Sequence, residues 1–193
     1  YIKIFFMSLY LLRHCERYLS PEFYTELTTY GKTCSKSLIK PLENLKINEI
    51  YCSPFIRTLQ TVAPYAKLTN ILIKPENAIY ECIREPFFKR TDFRYGINDA
   101  IKEFPEFKEI IQNAYVSECD LEDIVCSDDL KDVYDRIVPF IDNIKKRVET
   151  GNNILLVTHR TTFNIIRDYI EKGSFLNRDP TWTPNEGDIV KVI

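Results

Sequence analysis

Two apolar runs in this chain each end at a histidine, and the chain has no other histidines. Leu9, Tyr10, Leu11 and Leu12 lead into Arg13 and His14; Ile154, Leu155, Leu156, Val157 and Thr158 lead into His159 and Arg160. Short apolar runs of this kind, stopped abruptly by charge, read as strands buried on both faces. In an open α/β sheet, ligands bind just beyond the carboxyl ends of the strands. The pattern therefore predicts two imidazoles at one sheet edge, with Arg13, Arg17 and Arg160 beside them. Arginine grips a phosphate through two parallel hydrogen bonds and stays charged at any physiological pH. One such histidine would be ordinary as a hydrogen-bonded structural residue; two in the same context argue for an anion site with chemistry.

Bulk properties narrow the setting. At 193 residues, with 45% hydrophobic and 28% charged residues, the chain is long enough for one sizeable core. Residues 1–193 are expected to form a single domain. A formal net charge of -2 gives no overall pull toward nucleic acid or an anionic membrane. Six cysteines, at 15, 34, 52, 82, 119 and 126, include no C-x-x-C pair, and two histidines add little to a metal-ligand supply. Reduced thiols in a cytoplasmic protein are the expectation, a secreted disulfide set the alternative. No apolar run approaches the ~20 residues that span a bilayer. The opening residues 1–6 are apolar but too short for a signal peptide, and Met7 is a candidate natural start.

In chain order, strands are expected at 8–12, 47–52, 71–73, 154–158 and 187–193. Helices are expected across 21–41, with Thr28 as a good N-cap, and from 53 to 68, where Ser53-Pro54 signals a start and puts Arg57 in the first turn. A helix over 99–115 should break or kink near Pro105. A long amphipathic helix capped near 127–129 should run to 150, burying Val133, Ile137, Phe140, Ile141, Ile144 and Val148. A last helix covers 161–172. Residues 77–98 show no period and mix charge with aromatics (Glu81, Arg84, Glu85, Phe87, Phe88, Lys89, Arg90, Phe93, Arg94, Tyr95), as binding loops and ordinary solvated loops both do. The wider segment 77–128 is expected to be a lid or specificity insertion. Strands alternating with helices predict an α/β fold with a mainly parallel sheet and helices on both faces.

Four motifs in order resemble those of the histidine phosphatase (phosphoglycerate mutase-like) superfamily, branch 1. Leu12-Arg13-His14-Cys15-Glu16-Arg17 is similar to its Arg-His-Gly motif, and Leu27-Thr28-x-x-Gly31 to the Leu-Thr-x-x-Gly that follows. Ser53-Pro54-x-x-Arg57-x-x-Gln60-Thr61 resembles its Ser-Pro-x-x-Arg-x-x-Gln-Thr, and Val157-Thr158-His159 its Val-Ser/Thr-His-Gly. The resemblance implies a three-layer α/β/α sandwich. It also implies a metal-independent phosphomonoesterase with no cofactor. His14 would be the nucleophile that becomes phosphohistidine, with Arg13, Arg57 and His159 around the phosphoryl oxygens. Glu81 would be the proton donor, Glu85 the second choice. A backbone carbonyl on the other ring nitrogen of His14 would fix its tautomer. Arg17 resembles an extra arginine of branches that act on protein phosphotyrosine, and Arg160 would be a further substrate contact.

Two residues depart from the pattern. Cys15 stands where glycine is usual, and Arg160 where glycine or alanine is usual. Cys15, beside cations, raises a secondary hypothesis, that its thiol has a lowered pKa and oxidises readily. The implied substrate is a phosphorylated small molecule or a phosphoprotein, phosphotyrosine included. A phosphoglycerate mutase is the alternative within the same chemistry. A phosphate-binding or scaffolding module that has lost catalysis is the alternative from another class. Nothing points to nucleic acid or to an oligomeric state.

Overall fold

The structure, a computed structural model, describes residues 7–84, 88, 94–127, 129–174 and 183–193. Five strands form one sheet in the order β3-β2-β4-β1-β5. They are β1 (Ser8–Arg13), β2 (Glu49–Cys52), β3 (Ile73–Pro75), β4 (Asn153–Thr158) and β5 (Ile189–Lys191). The first four run parallel; β5 pairs antiparallel with β1 at the edge. β4 is buried from Ile154 onward, as a parallel strand covered on both faces should be.

Helices make the outer layers of an α/β/α sandwich. α1 (Thr29–Ser37) packs on α3 (Ile56–Thr69), with the short α2 (Ile39–Asn44) beside them; α5 (Leu130–Glu149) packs on α6 (Arg160–Lys172). α4 (Ile97–Glu103) lies in the segment between β3 and α5. The buried face of α5 is the predicted one: Val133, Ile137, Phe140, Ile141, Ile144 and Val148.

Three expectations shift. The helix expected over 21–41 starts only at Thr29, behind the Thr28 cap, whose side chain accepts from the Gly31 N–H. Residues 17–27 instead fold back as a loop, with a bridge between Arg17 and Leu27. The helix expected from Ser53 begins at Ile56, because the Ser53 hydroxyl is engaged elsewhere. The helix expected over 99–115 is the seven-residue α4 followed by a single 3-10 turn at Pro105–Phe107, so Pro105 ends it rather than kinking it.

The Leu-Thr-x-x-Gly segment acts as a clamp. The Thr28 N–H donates to the Glu16 carbonyl, and the Thr28 hydroxyl donates to the Glu16 carboxylate at 2.6 Å. Gly31 lets α1 approach so closely that an added Cβ would sit 2.0 Å from the Glu16 carbonyl oxygen. This contact holds the turn that follows β1. Gly31→Ala is therefore expected to lower stability by about 1–3 kcal/mol or more. Lys36→Ala, on the exposed side of the same helix, should stay within about 0.5 kcal/mol. Thermal unfolding of the two variants checks this; an unchanged midpoint for Gly31→Ala would contradict it.

Candidate active site

Three parallel strands deliver the site. Their register sets Arg13 beside Thr158 and Cys52 beside Val157, so the next residues, His14, His159 and Ser53, leave the sheet together. The His14 N–H donates to the Thr158 carbonyl and the Ser53 N–H to the Val157 carbonyl, both at 3.0 Å. The two imidazoles are buried and meet edge-on, ring centroids 5.4 Å apart at 61°.

His14 Nδ1–H donates to the Cys15 carbonyl at 2.8 Å. A neutral imidazole carries one ring proton, so this bond leaves the lone pair on Nε2. Burial, and then the nearby Arg57 guanidinium, hold the His14 pKa well below its usual value. The ring is neutral at physiological pH and available as a nucleophile.

His159 shares a hydrogen bond between Nε2 and the Ser53 hydroxyl at 2.8 Å. Its Nδ1 lies 3.3 Å from Glu81 Oε2 but outside hydrogen-bond geometry, so this buried atom has no hydrogen-bond partner. The same Glu81 oxygen accepts from Arg57 Nη2 at 3.2 Å. Arg57 is fully buried, and its Nη1 donates to the carbonyls of Pro21 (3.2 Å) and Glu22 (3.0 Å). Burial pushes its pKa down to about 10, which leaves it charged at neutral pH.

Glu81 is placed by its backbone. Arg136 donates to the carbonyls of Ala78 (3.2 Å) and Tyr80 (2.9 Å), Thr158 to that of Ile79 (2.7 Å), and Thr162 to that of Tyr80 (2.8 Å). The fully buried Glu76 anchors the start of the segment by accepting from the Ala78 N–H at 2.8 Å and the Ser117 hydroxyl at 2.7 Å. Ser53 does not read as a histidine partner in the sequence, Thr158 is legible only as part of the Val-Thr-His motif, and Arg136, Thr162, Glu76 and Ser117 carry no signal there. They sit in no periodic pattern, and only the tertiary fold brings them to residues 76–81.

A cavity of about 220 Å³ opens over this floor. Arg13, His14, Arg17, Glu81, Arg84 and Arg160 line it, with Phe88 and Thr161 at its walls. Arg57 and His159 lie beneath, behind the Glu81 carboxylate. Arg13 donates to the Pro184 carbonyl (2.6 Å) and to Glu186 (3.2 Å), and Arg17 to the carbonyls of Tyr18 (2.6 Å) and Ser20 (2.8 Å). Arg17 is thus folded onto the cavity wall rather than standing as a solvated charge on a helix. Glu85 lies outside the described residues, as do Phe87, Lys89, Arg90 and Phe93. His14, Glu81 and His159 could in principle ligate a metal, since their donor atoms lie within 4.8 Å of one another. The surrounding guanidiniums repel a cation, and Arg57 already holds the carboxylate; the field suits an anion.

Cys15 departs from expectation. Its φ is not positive, so the position does not require glycine. Its side chain is buried away from the cavity, against Cys34 and beside Gly187, where an added Cβ would meet Cys34 Sγ at 2.9 Å and Cys15 Sγ at 3.6 Å. Burial and the Cys34 contact raise its pKa, overturning the expected reactive thiolate. Its backbone does the work at the site: N–H to the Thr61 hydroxyl at 2.9 Å, carbonyl to His14.

The buried histidines predict an acid-sensitive fold. An unfolded histidine titrates near pH 6.5, while the folded His14 and His159 stay neutral to lower pH. The unfolded chain then binds protons that the folded chain does not. Stability is complete above about pH 6.5 and falls as pH drops from there through the folded-state values, by up to about 1.4 kcal/mol per pH unit for each histidine. Urea unfolding between about pH 7.5 and pH 5 should show a shallower loss for His14→Asn than for wild type; identical pH dependence would contradict the buried neutral state.

The match to known proteins agrees with this architecture. The family model described as the histidine phosphatase superfamily (branch 1) matches residues 9–185. No curated protein matches the sequence. Among solved structures, an ecdysone phosphate phosphatase from Bombix mori in complex with tungstate superposes with a TM-score of 0.68 at 11% identity, covering 95% of this chain and 87% of that one. A mycobacterial glucosyl-3-phosphoglycerate phosphatase with inorganic phosphate gives 0.68 at 14% identity, covering 96% and 88%. The alpha-ribazole phosphatase from Shigella flexneri gives 0.65 at 16%, covering 96% and 89%. At these identities the structures establish a shared fold; the family match over most of the chain, with all four motifs in place, makes this chain a member of the histidine phosphatase superfamily, branch 1.

Proposed function

We propose that the chain is a metal-independent phosphomonoesterase that works through a phosphohistidine on His14. The observation that carries this reading is the Nδ1–H bond from His14 to the Cys15 carbonyl, which leaves Nε2 unprotonated at an arginine-lined cavity. Phosphoryl transfer gains most from positioning and from charge placed around the transferring oxygens. Arg13, Arg57, His159 and the N-terminus of α6 supply that charge or donate hydrogen bonds there.

The Glu81 carboxylate has two jobs in this scheme. Without substrate it stands between Arg57 and His159, where a phosphoryl oxygen would accept. An arriving phosphomonoester monoanion displaces it toward the ester oxygen and passes its own phosphate proton to the carboxylate, which leaves the phosphoryl group dianionic and Glu81 protonated. Nε2 of His14 then attacks phosphorus, the ester P–O bond breaks, and the leaving oxygen takes its proton from the Glu81 carboxyl. In the second half, the Glu81 carboxylate takes a proton from water as that water attacks the phosphohistidine, releasing phosphate and free His14.

Hydrolysis of p-nitrophenyl phosphate should survive EDTA and fall roughly a thousand-fold or more in His14→Ala. Glu81→Gln should cost about 10²–10⁴-fold on glycerol 3-phosphate. It should cost less on p-nitrophenyl phosphate, whose leaving phenoxide is stable without a proton. Steady-state assays check both. Activity abolished by EDTA, or retained in His14→Ala, would overturn the reading.

A further inference from the structure

The site holds more positive charge than one phosphoryl group uses. Five guanidiniums gather there: those of Arg13, Arg17, Arg57, Arg84 and Arg160. Among the described residues only two carboxylates meet them, Glu186 on Arg13 and Glu81 on Arg57. Among the described residues Arg17 donates to backbone carbonyls alone. Among the described residues the Arg84 side chain bonds only to the Cys82 thiol, through Nε at 3.1 Å; its Nη2 is buried with no hydrogen-bond partner, and the residue lines the cavity. Leaving a buried charged donor unmatched is costly, and an oxygen of a ligand would relieve it.

Arg160 lines the same cavity. It is exposed, carries no ion pair among the described residues, and begins α6, whose N-terminus has no side-chain cap there. Thr161, the next residue, lines the same cavity. The start of a thirteen-residue helix adds free backbone N–H groups and a positive field to the cavity. Arg84 lies outside the four motifs, and Arg160 stands where the fourth has glycine or alanine. The cavity, at about 220 Å³, is also smaller than the ~300–1,000 Å³ typical for drug-sized ligands.

We propose that Arg84 and Arg160 form a second anion subsite, and that the substrate is a compact phosphomonoester carrying a further acidic group, a carboxylate or a second phosphate. A phosphotyrosyl peptide does not use this subsite. The proposal rests on the phosphomonoesterase reading of the site. The phosphoryl group lies over His14, between Arg13 and Arg57, and the second acid bridges Arg84 and Arg160.

The test compares kcat/KM for 3-phosphoglycerate, for 1,3-propanediol bisphosphate, for the neutral-ended glycerol 3-phosphate and for a phosphotyrosyl peptide. At least one acid-bearing ester should exceed glycerol 3-phosphate by about ten-fold or more, the worth of one charge-assisted hydrogen bond, and the gain should appear in KM. Which ester wins tells carboxylate from phosphate. In Arg160→Gln and Arg84→Gln that ratio should collapse toward one, and Arg84→Lys should restore part of it. Arg160 is exposed, so its replacement leaves the fold intact. Equal kcat/KM for charged and neutral esters, a preference for the peptide, or variants that weaken all substrates alike would overturn the proposal while p-nitrophenyl phosphate turnover upholds the phosphomonoesterase reading. No turnover of any ester, p-nitrophenyl phosphate included, would overturn both.

Discussion

A guanidinium with no solvent exposure anchors this structure. Arg57 keeps its charge inside the protein only because two backbone carbonyls and one carboxylate meet it. A buried ion without such partners would be several kcal/mol out of balance. The partners come from two places, the loop at Pro21 and Glu22 and the segment that ends at Glu81, while Arg57 itself sits in the first turn of α3. Satisfying one buried charge therefore fixes three elements around the two histidines. Much of the remaining polar network, from Arg136, Thr158, Thr162 and Glu76, serves to hold the Glu81 segment to that meeting point.

The same arrangement explains the electrostatic contrast within the site. The imidazoles are buried and lie beside cations, so they stay neutral. The Arg13 and Arg57 guanidiniums are partly and wholly buried too, yet their intrinsic pKa is high enough that burial leaves them charged. Neutral nitrogen next to fixed positive charge is the combination that phosphoryl transfer from an ester to histidine requires. In the proposed mechanism Glu81 is the adjustable part, since its oxygen lies between Arg57 and His159.

Much of this was legible in the sequence, for physical reasons. Strands buried on both faces read as apolar runs, so β1 and β4 and the histidines at their ends could be placed. The 3.6-residue period on α5 named its buried face residue by residue. Gly31 could be recognised by motif alone, but its cause, the Glu16 carbonyl against α1, is a contact between elements that no local pattern reports. Ser53 was misread as a helix cap because Ser-Pro is a sound local signal; the nearby imidazole competes for the hydroxyl. Cys15 was misread because its neighbours in sequence are charged, whereas its side chain points the other way, into the core against Cys34. Arg84 carried no signal beyond its charge, and its unmatched Nη2 is visible only in three dimensions.

The central claim is that His14 takes the phosphoryl group on Nε2. It is tested most directly by mixing the enzyme with p-nitrophenyl phosphate, quenching within the first turnover in alkali, and locating phosphate on the digested chain by mass spectrometry. The account predicts an alkali-stable, acid-labile phosphate on the peptide that contains His14, absent from His14→Ala. Product formation with no phosphorylated peptide at any quench time, or with phosphate on another residue, would contradict it.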